Sequence, residues 1–208
     1  DVYKRQVSLD KTYVKNENVT YIESSFEDYI PSKLYDFIIC SHVLEHVYTP
    51  NEFLSKIRSN LKDNGSLFIS IPNMLHWLIN RYSNVLNFEH TYYLDFNVLD
   101  FLLSKCGFRI KRNIIGEHSI FVECVKSDIS YKHFDFSYVK PLFLDFIENL
   151  KYTSNLIHDI MINNNMKNIY LFGAHIFSQY LLYFNVRESY ITSILDNDSS
   201  KWNKKLYG

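Results

Sequence analysis

Tyr35-Asp36-Phe37-Ile38-Ile39-Cys40-Ser41-His42-Val43-Leu44-Glu45-His46 is the stretch whose reading decides the fold. It is an apolar strand that runs straight into a polar turn carrying two histidines and a glutamate. A helix start follows at Thr49-Pro50-Asn51-Glu52. Thr49 can cap, Pro50 suits the first helical position, and Glu52 completes a capping box. Phe53, Leu54, Ile57 and Leu61 then share one helical face. Asp63-Asn64-Gly65 is expected to stop that helix, with Gly65 at positive φ. Residues 66–71 read as the next strand, ended by Pro72-Asn73. Strand, helix and strand with short connections make the βαβ crossover of a parallel sheet. A continuous apolar run such as 36–40 is expected of a central strand covered on both faces. Ligands of an open α/β sheet bind beyond the carboxyl ends of the strands, which singles out the peptide from Ser41 to His46.

Working outward, Val19-Thr20-Tyr21-Ile22-Glu23 reads as a short strand. Residues 74–88 are less regular. Residues 95–106 read as a helix, with Leu99, Leu102 and Leu103 apolar and Gly107 at its end. Strands are expected at 108–115 and 119–125, joined around Gly116-Glu117-His118. The character changes at about Ser127, and 127–139 has no clear period and reads as a linker. A long helix is expected over 141–161, with Leu142, Phe143, Phe146, Leu150, Ile157 and Ile160 at helical spacing. A strand over 168–172, a tight turn at Gly173-Ala174, a helix over 176–184 and a strand over 191–195 then begin a second βαβ unit. The fold class is α/β.

The chain has 208 residues, enough for one core and a smaller second unit. Its net charge of −1 argues against a broad nucleic-acid surface. No apolar run reaches the roughly 18 residues of a membrane span, and no secretory signal opens the chain. Cys40, Cys106 and Cys124 form no CxxC pair, so reduced core thiols and a cytoplasmic location are expected. The 17 Tyr and 16 Phe invite a sugar-stacking reading. Abundant Ile, Asn and Lys favour the coding bias of an AT-rich genome instead. No two of the five glycines are spaced as a Gly-rich nucleotide loop.

Residues 19–125 resemble class I S-adenosylmethionine-dependent methyltransferases. The landmarks are the strand that leads into His-Val-Leu-Glu-His, Ser24-Ser25-Phe26-Glu27-Asp28, Asn73 after the next strand, and Gly107-Phe108 before a closing hairpin. The resemblance implies the C-terminal half of a Rossmann-like methyltransferase sheet and S-adenosylmethionine as cofactor. By position it implies that Ser25 bonds the adenine and Phe26 packs on it, although the family more often has Asp where Ser25 stands. Ser41, His42 and Val43 would line the methionine and adenine side. The family's glycine loop and ribose-binding acid have no counterpart here and are expected upstream of residue 1. Residues 1–6 resemble a translated sequencing-adapter artefact. The expected organisation is therefore an artefactual leader at 1–6, a partial methyltransferase domain at 7–127, and at 128–208 a linker, a long helix and a partial Rossmann-like unit. The chain is expected to be a fragment truncated at both ends.

Phe88-Glu89-His90-Thr91-Tyr92-Tyr93 is similar to the E-H-x-x-Y element of sugar C-methyltransferases. The methyl donor is already activated, so the protein must align the acceptor and, where needed, remove its proton. An imidazole titrates near working pH and suits that task. The resemblance implies His90 as base, Glu89 as its orienter and Tyr93 as an acceptor ligand. Asn87 and Phe88 stand where that element has Tyr-His, so carbon and oxygen acceptors both stay open. Ile169-Tyr170-Leu171-Phe172-Gly173-Ala174, Asp196-Asn197-Asp198, Lys201 and Gly208 resemble the Rossmann-like C-terminal domain of the same enzymes. A sugar is the implied partner, nucleotide-linked or a precursor of surface polysaccharide.

Three alternatives accompany this reading. A non-catalytic module could bind a nucleotide sugar at the Gly173 turn. A dehydrogenase would need later glycines that Gly173-Ala174-His175-Ile176-Phe177-Ser178 lacks. His42-Val43-Leu44-Glu45-His46 also fits H-x-x-E-H, a zinc-protease pattern that needs both histidines on one helix. Here a strand leads into His42 and the helix begins at Thr49, so no metal is expected, and Glu45 and His46 can simply close the turn.

Overall fold

The computed structural model describes residues 22, 24–86, 89–128 and 134–205. The expected strand at 19–23 lies outside them apart from Ile22, as do the leader at 1–6 and Gly208. In chain order the elements are β1 (Tyr35–Ser41), α1 (Pro50–Asn60), β2 (Leu61–Pro72), α2 (Met74–Ile79), α3 (Phe96–Lys105), β3 (Phe108–Ile115), β4 (Ser119–Lys126), α4 (Val139–Asn163), β5 (Ile169–Phe172), α5 (Ile176–Phe184) and β6 (Ile191–Leu195). They fall into two units. One comprises 1–73 and 89–133, the other 74–88 and 134–208.

The first unit is a four-stranded sheet of order β1-β2-β4-β3. β1 and β2 run parallel, with Ile38 opposite Leu67 and Cys40 opposite Ile69. β4 is antiparallel to both of its neighbours. Cys40, Leu67, Ile69, Ile71, Ile120, Val122 and Cys124 point from the sheet into a core. It is closed by Leu54 and Ile57 of α1, Leu99 and Leu103 of α3, and Phe108. Burial pushes the Cys40 and Cys124 thiols up to about 12, which leaves them protonated core side chains. Asp95 caps α3, its carboxylate accepting from the Val98 amide at 2.8 Å.

Three local expectations are corrected. Pro50 opens α1, but the Thr49 side chain makes no cap hydrogen bond. Gly65 is not at positive φ and lies inside β2. A Cβ there would stand 3.0 Å from the carbonyl oxygens of both Asp36 and Lys62, so close backbone approach accounts for the glycine. β1 is covered on one face only. Phe37 is 64% exposed and Ile39 76%, and Ile114 at 70% and Phe121 at 49% extend this bare surface. Among the described residues β1 pairs only with β2, so it stands at the edge of the sheet.

In the second unit, residues 74–88 gain the order their sequence hides. Met74, Trp77 and Leu78 of α2, with Val85, pack on Phe146 and Leu150 of α4. β5 and β6 pair in parallel. Met161, Leu181 and Val186 form a small core beneath them. Gly173 ends β5 at φ 101°. Asp196, just after β6, accepts from the Ala174 amide at 2.7 Å and the Asp198 amide at 2.8 Å, and from the Lys201 ammonium at 3.0 Å. These donors hold its carboxyl below the usual range. No helix of the described residues is long and apolar enough to cross a membrane.

Candidate functional site

The candidate site lies in the first unit, at the carboxyl ends of β1 and β2. His42 follows β1 with φ 50°, a left-handed conformation that turns the chain off the strand. Its amide donates to the Ser70 carbonyl at 2.9 Å, which ties the turn to the end of β2. Leu44 is fully buried and anchors the short 3-10 turn Leu44–His46. Glu45 is drawn in with it and is 1% exposed.

A second segment is pinned to this turn through backbone groups. The Thr91 and Tyr92 amides donate to the Glu45 carbonyl at 2.8 and 3.2 Å. The Thr91 hydroxyl is 3.0 Å from the Glu45 and Val47 carbonyls. The Tyr92 hydroxyl donates to the Tyr48 carbonyl at 3.0 Å. These bonds bring His90 against His46, with ring centroids 4.9 Å apart. His46 Nδ1 lies 2.8 Å from the Glu89 carbonyl. A carbonyl only accepts, so Nδ1 of His46 carries a proton, and in the neutral ring the lone pair is on Nε2. One donor atom from each of Glu45, His46 and His90 lies within 4.8 Å of the others.

A polar chain also runs from Glu45 through His42, while the same Glu45 Oε1 lies 4.0 Å from His46 Nε2. Glu45 Oε1 is 3.2 Å from His42 Nδ1, His42 Nε2 is 3.1 Å from Ser119 Oγ, and Ser119 Oγ is 2.7 Å from His118 Nδ1. Burial raises the Glu45 carboxyl above its ordinary value. Its own backbone amide and the imidazoles of His42 and His46 pull the other way. Burial, reinforced by repulsion from His46 and His42, lowers His90 to about 4. His90 is therefore neutral at pH 7, with a lone pair but little basicity.

These shifts oppose each other in stability. Glu45, raised in the folded state, favours folding most below its unfolded value near 4.3, and that contribution is lost as pH rises through the raised value. His90, depressed to about 4, favours folding above about 6.5, and its contribution is lost as pH falls from there through about 4. Replacing Glu45 with Gln removes the first effect. Between about pH 6.5 and 4 the variant is expected to lose more stability than the parent, because only the His90 contribution remains. Urea midpoints across that range measure it, and superimposable profiles would contradict it.

The structure places the other residues singled out from sequence as follows. Ser41 Oγ pairs with Ser70 Oγ at 2.9 Å, joining the two strand ends. Val43 is half-buried against the core. Phe26 packs on Phe53 at 4.9 Å between centroids, and the Lys56 ammonium stands 5.6 Å above its ring. The Ser25 hydroxyl bonds the Glu27 carboxylate. Glu89 acts here through its carbonyl. Tyr93 is 42% exposed, and partial burial raises its hydroxyl. Sequence reasoning did not single out Ser119 and His118, whose only signal was a hairpin turn, nor did it join Glu45 and His46 to His90.

Residues 2–112, just over half of the chain, match a family model described as a methyltransferase domain. Over 75 residues the chain is 35% identical to a ubiquinone biosynthesis O-methyltransferase of Rickettsia akari (strain Hartford), covering 35% of this chain and 30% of that protein. Over 70 residues it is 37% identical to a mitochondrial ubiquinone biosynthesis O-methyltransferase of Schizosaccharomyces pombe, covering 34% and 25%. The chain thus spans less than a third of the length of these relatives. Similar solved structures include the mitomycin 7-O-methyltransferase MmcR, with 18% identity, TM-score 0.42, and 50% of this chain and 33% of that one covered. Magnesium protoporphyrin IX methyltransferase from Synechocystis PCC 6803 shows 22% identity, TM-score 0.36 and 47% coverage of both chains. The family match, carried on a sheet whose last strand inserts antiparallel between β2 and β3, shows that the chain belongs to the class I S-adenosylmethionine-dependent methyltransferase-domain family.

Proposed function

We propose that this chain is part of a methyltransferase that transfers a methyl group from S-adenosylmethionine to a sugar, nucleotide-linked or a polysaccharide precursor. The observation that carries the acceptor end is the seating of His90 against His46 and Glu45 beyond the carboxyl ends of β1 and β2. Bound there, the cofactor supplies a methyl group activated by a sulfonium centre. Ser41, His42 and Val43 would line its methionine side, with Ser25 and Phe26 toward the adenine. His42 fits that role, because its imidazole is 36% exposed while Glu45 holds its Nδ1. Phe26 fits less well, since Phe53 and Lys56 already cover its ring.

At the acceptor end, neutral His90 takes the acceptor's proton and Tyr93 binds the acceptor. Glu89 fixes the geometry through its carbonyl bond to His46. A weak base gives a proton transfer little driving force, so alignment supplies most of the acceleration. Oxygen is the favoured acceptor atom, because the matched relatives are O-methyltransferases by name. The sugar rests on the sequence resemblance of 89–93 and of the C-terminal segment. A boundary near 127–128, separating a partial methyltransferase domain from the start of a Rossmann-like unit, belongs to this proposal. So do fragment status and a cytoplasmic location. That β1 pairs only with β2 among the described residues, with the bare face around Phe37 and Ile39, supports a sheet that continues.

The complete reading frame, assayed with methyl-labelled cofactor on nucleotide sugars and on catechol-type phenols, tests the proposal. Label in a sugar supports it. Label only in the phenol would replace the sugar and keep the reaction. The 208-residue chain alone is expected to bind S-adenosylmethionine with a dissociation constant weaker than about 1 mM, by far short of a specific site. A micromolar value by titration calorimetry would contradict fragment status. A complete frame without a glycine loop and ribose-binding acid would favour the non-catalytic nucleotide-sugar module.

A further inference from the structure

We propose that Glu45, His46 and His90 form a site for a divalent transition-metal ion of the zinc type. Four observations converge on these residues. One donor atom from each lies within 4.8 Å of the other two. Glu45 Oε2 and His90 Nδ1 are buried with no hydrogen-bond partner among the described residues, and a buried acceptor left unpaired is costly. The Glu89 carbonyl, 2.8 Å from His46 Nδ1, holds a proton on that nitrogen, so in the neutral ring Nε2 is the nitrogen that can bind an ion. This is the backbone-carbonyl partner that metal-bound imidazoles commonly have. Finally, the turn and the loop that carry the three side chains are held together by the Thr91 and Tyr92 amides on the Glu45 carbonyl.

The chemistry of the donor set indicates the ion. Two imidazoles and one carboxylate suit zinc, iron, cobalt or nickel rather than magnesium or calcium, which favour all-oxygen sites. Tetrahedral zinc at about 2.1 Å from each ligand needs donors about 3.4 Å apart, so donors that lie within 4.8 Å of one another must close by up to about 1.4 Å. Side-chain rotation supplies that. Three protein ligands leave a coordination position open. This is not the helical H-x-x-E-H arrangement. His42 stays outside the trio and bonds Glu45 Oε1 at 3.2 Å, where it can orient the carboxylate. The site does not rest on the methyl-transfer reading. With the ion bound, the His90 lone pair is used as a ligand and cannot also take the acceptor's proton, so base and ligand are alternative roles of this side chain.

The untagged chain, stripped with chelator and titrated with Zn2+ by calorimetry and with Co2+ by visible absorption, tests the site in the absence of cofactor and acceptor. One equivalent should bind. Glu45→Gln and His90→Asn should each weaken binding about 100-fold or more, and His42→Asn about 10-fold. His118→Asn should leave it within about twofold, because His118 joins Ser119, two links beyond His42 in the chain from Glu45. Nitrogen shifts of the parent protein's imidazoles on adding Zn2+ avoid any variant that fails to fold, and should move for His46 and His90. No binding, equal binding by the Glu45 and His90 variants, or shifts confined to other histidines would overturn the proposal. Metal binding without methyl transfer would leave the site standing and remove the proposed function alone.

Discussion

In the complete enzyme, replacing His90 with Ala is expected to lower kcat about 100-fold or more, with KM for the methyl donor changed less than about threefold. His90 is neutral at pH 7 because burial, helped by its neighbouring imidazoles, lowers it to about 4. It sits 4.9 Å from His46 between ring centroids and is held there through the Thr91 and Tyr92 backbone bonds. The residues proposed to line the donor lie around His42, which bonds Glu45 Oε1 at 3.2 Å. Loss of the imidazole should therefore fall on the acceptor step rather than on donor binding. Unchanged turnover would remove His90 from the acceptor machinery. Metal content separates its two possible contributions. A kcat loss with the metal retained marks a proton acceptor, and a parallel loss of both marks a ligand.

Phe108→Ala is expected to destabilise the first unit by about 3–5 kcal/mol, the combined cost of lost burial and a cavity. Phe108 is 1% exposed and packs within the core that α1 and α3 close over the sheet. It also follows Gly107, whose φ of 78° turns the chain from α3 into β3 and whose carbonyl accepts from Arg58 Nε at 3.2 Å. A loss of that size is a large share of the roughly 5–15 kcal/mol that holds a typical domain. Phe37→Ser is the control. The side chain is as large and also lies in the sheet, but it is 64% exposed. It should cost less than about 1 kcal/mol. Urea midpoints followed by circular dichroism measure both, and equal losses would mean that the bare face is covered in solution.

Legibility followed the range of the forces involved. Strand β1, helix α1 and strand β2 could be read because apolar periodicity and Pro50 act within a few residues. Asp95 and Gly107 bracketed α3 for the same reason. Gly65 was misread because a stop signal and a close approach look alike in one dimension. Its neighbour, the Asp36 carbonyl, belongs to the other strand of the pair. Helix α2 escaped notice because its order comes from Phe146 and Leu150, some 70 residues downstream.

His42, Glu45, His46 and His90 were all visible as residue types with chemistry to offer. The sequence by itself determined the alternation of strands and helices, and with it which turn would stand at the carboxyl edge of the sheet. Only the tertiary structure decided that Glu45 would be buried, that His46 would face Glu89 and that His90 would lose its basicity. Burial and the Glu89 contact depend on groups more than 40 residues apart being brought together, and no local pattern records which of them will exclude water from the others.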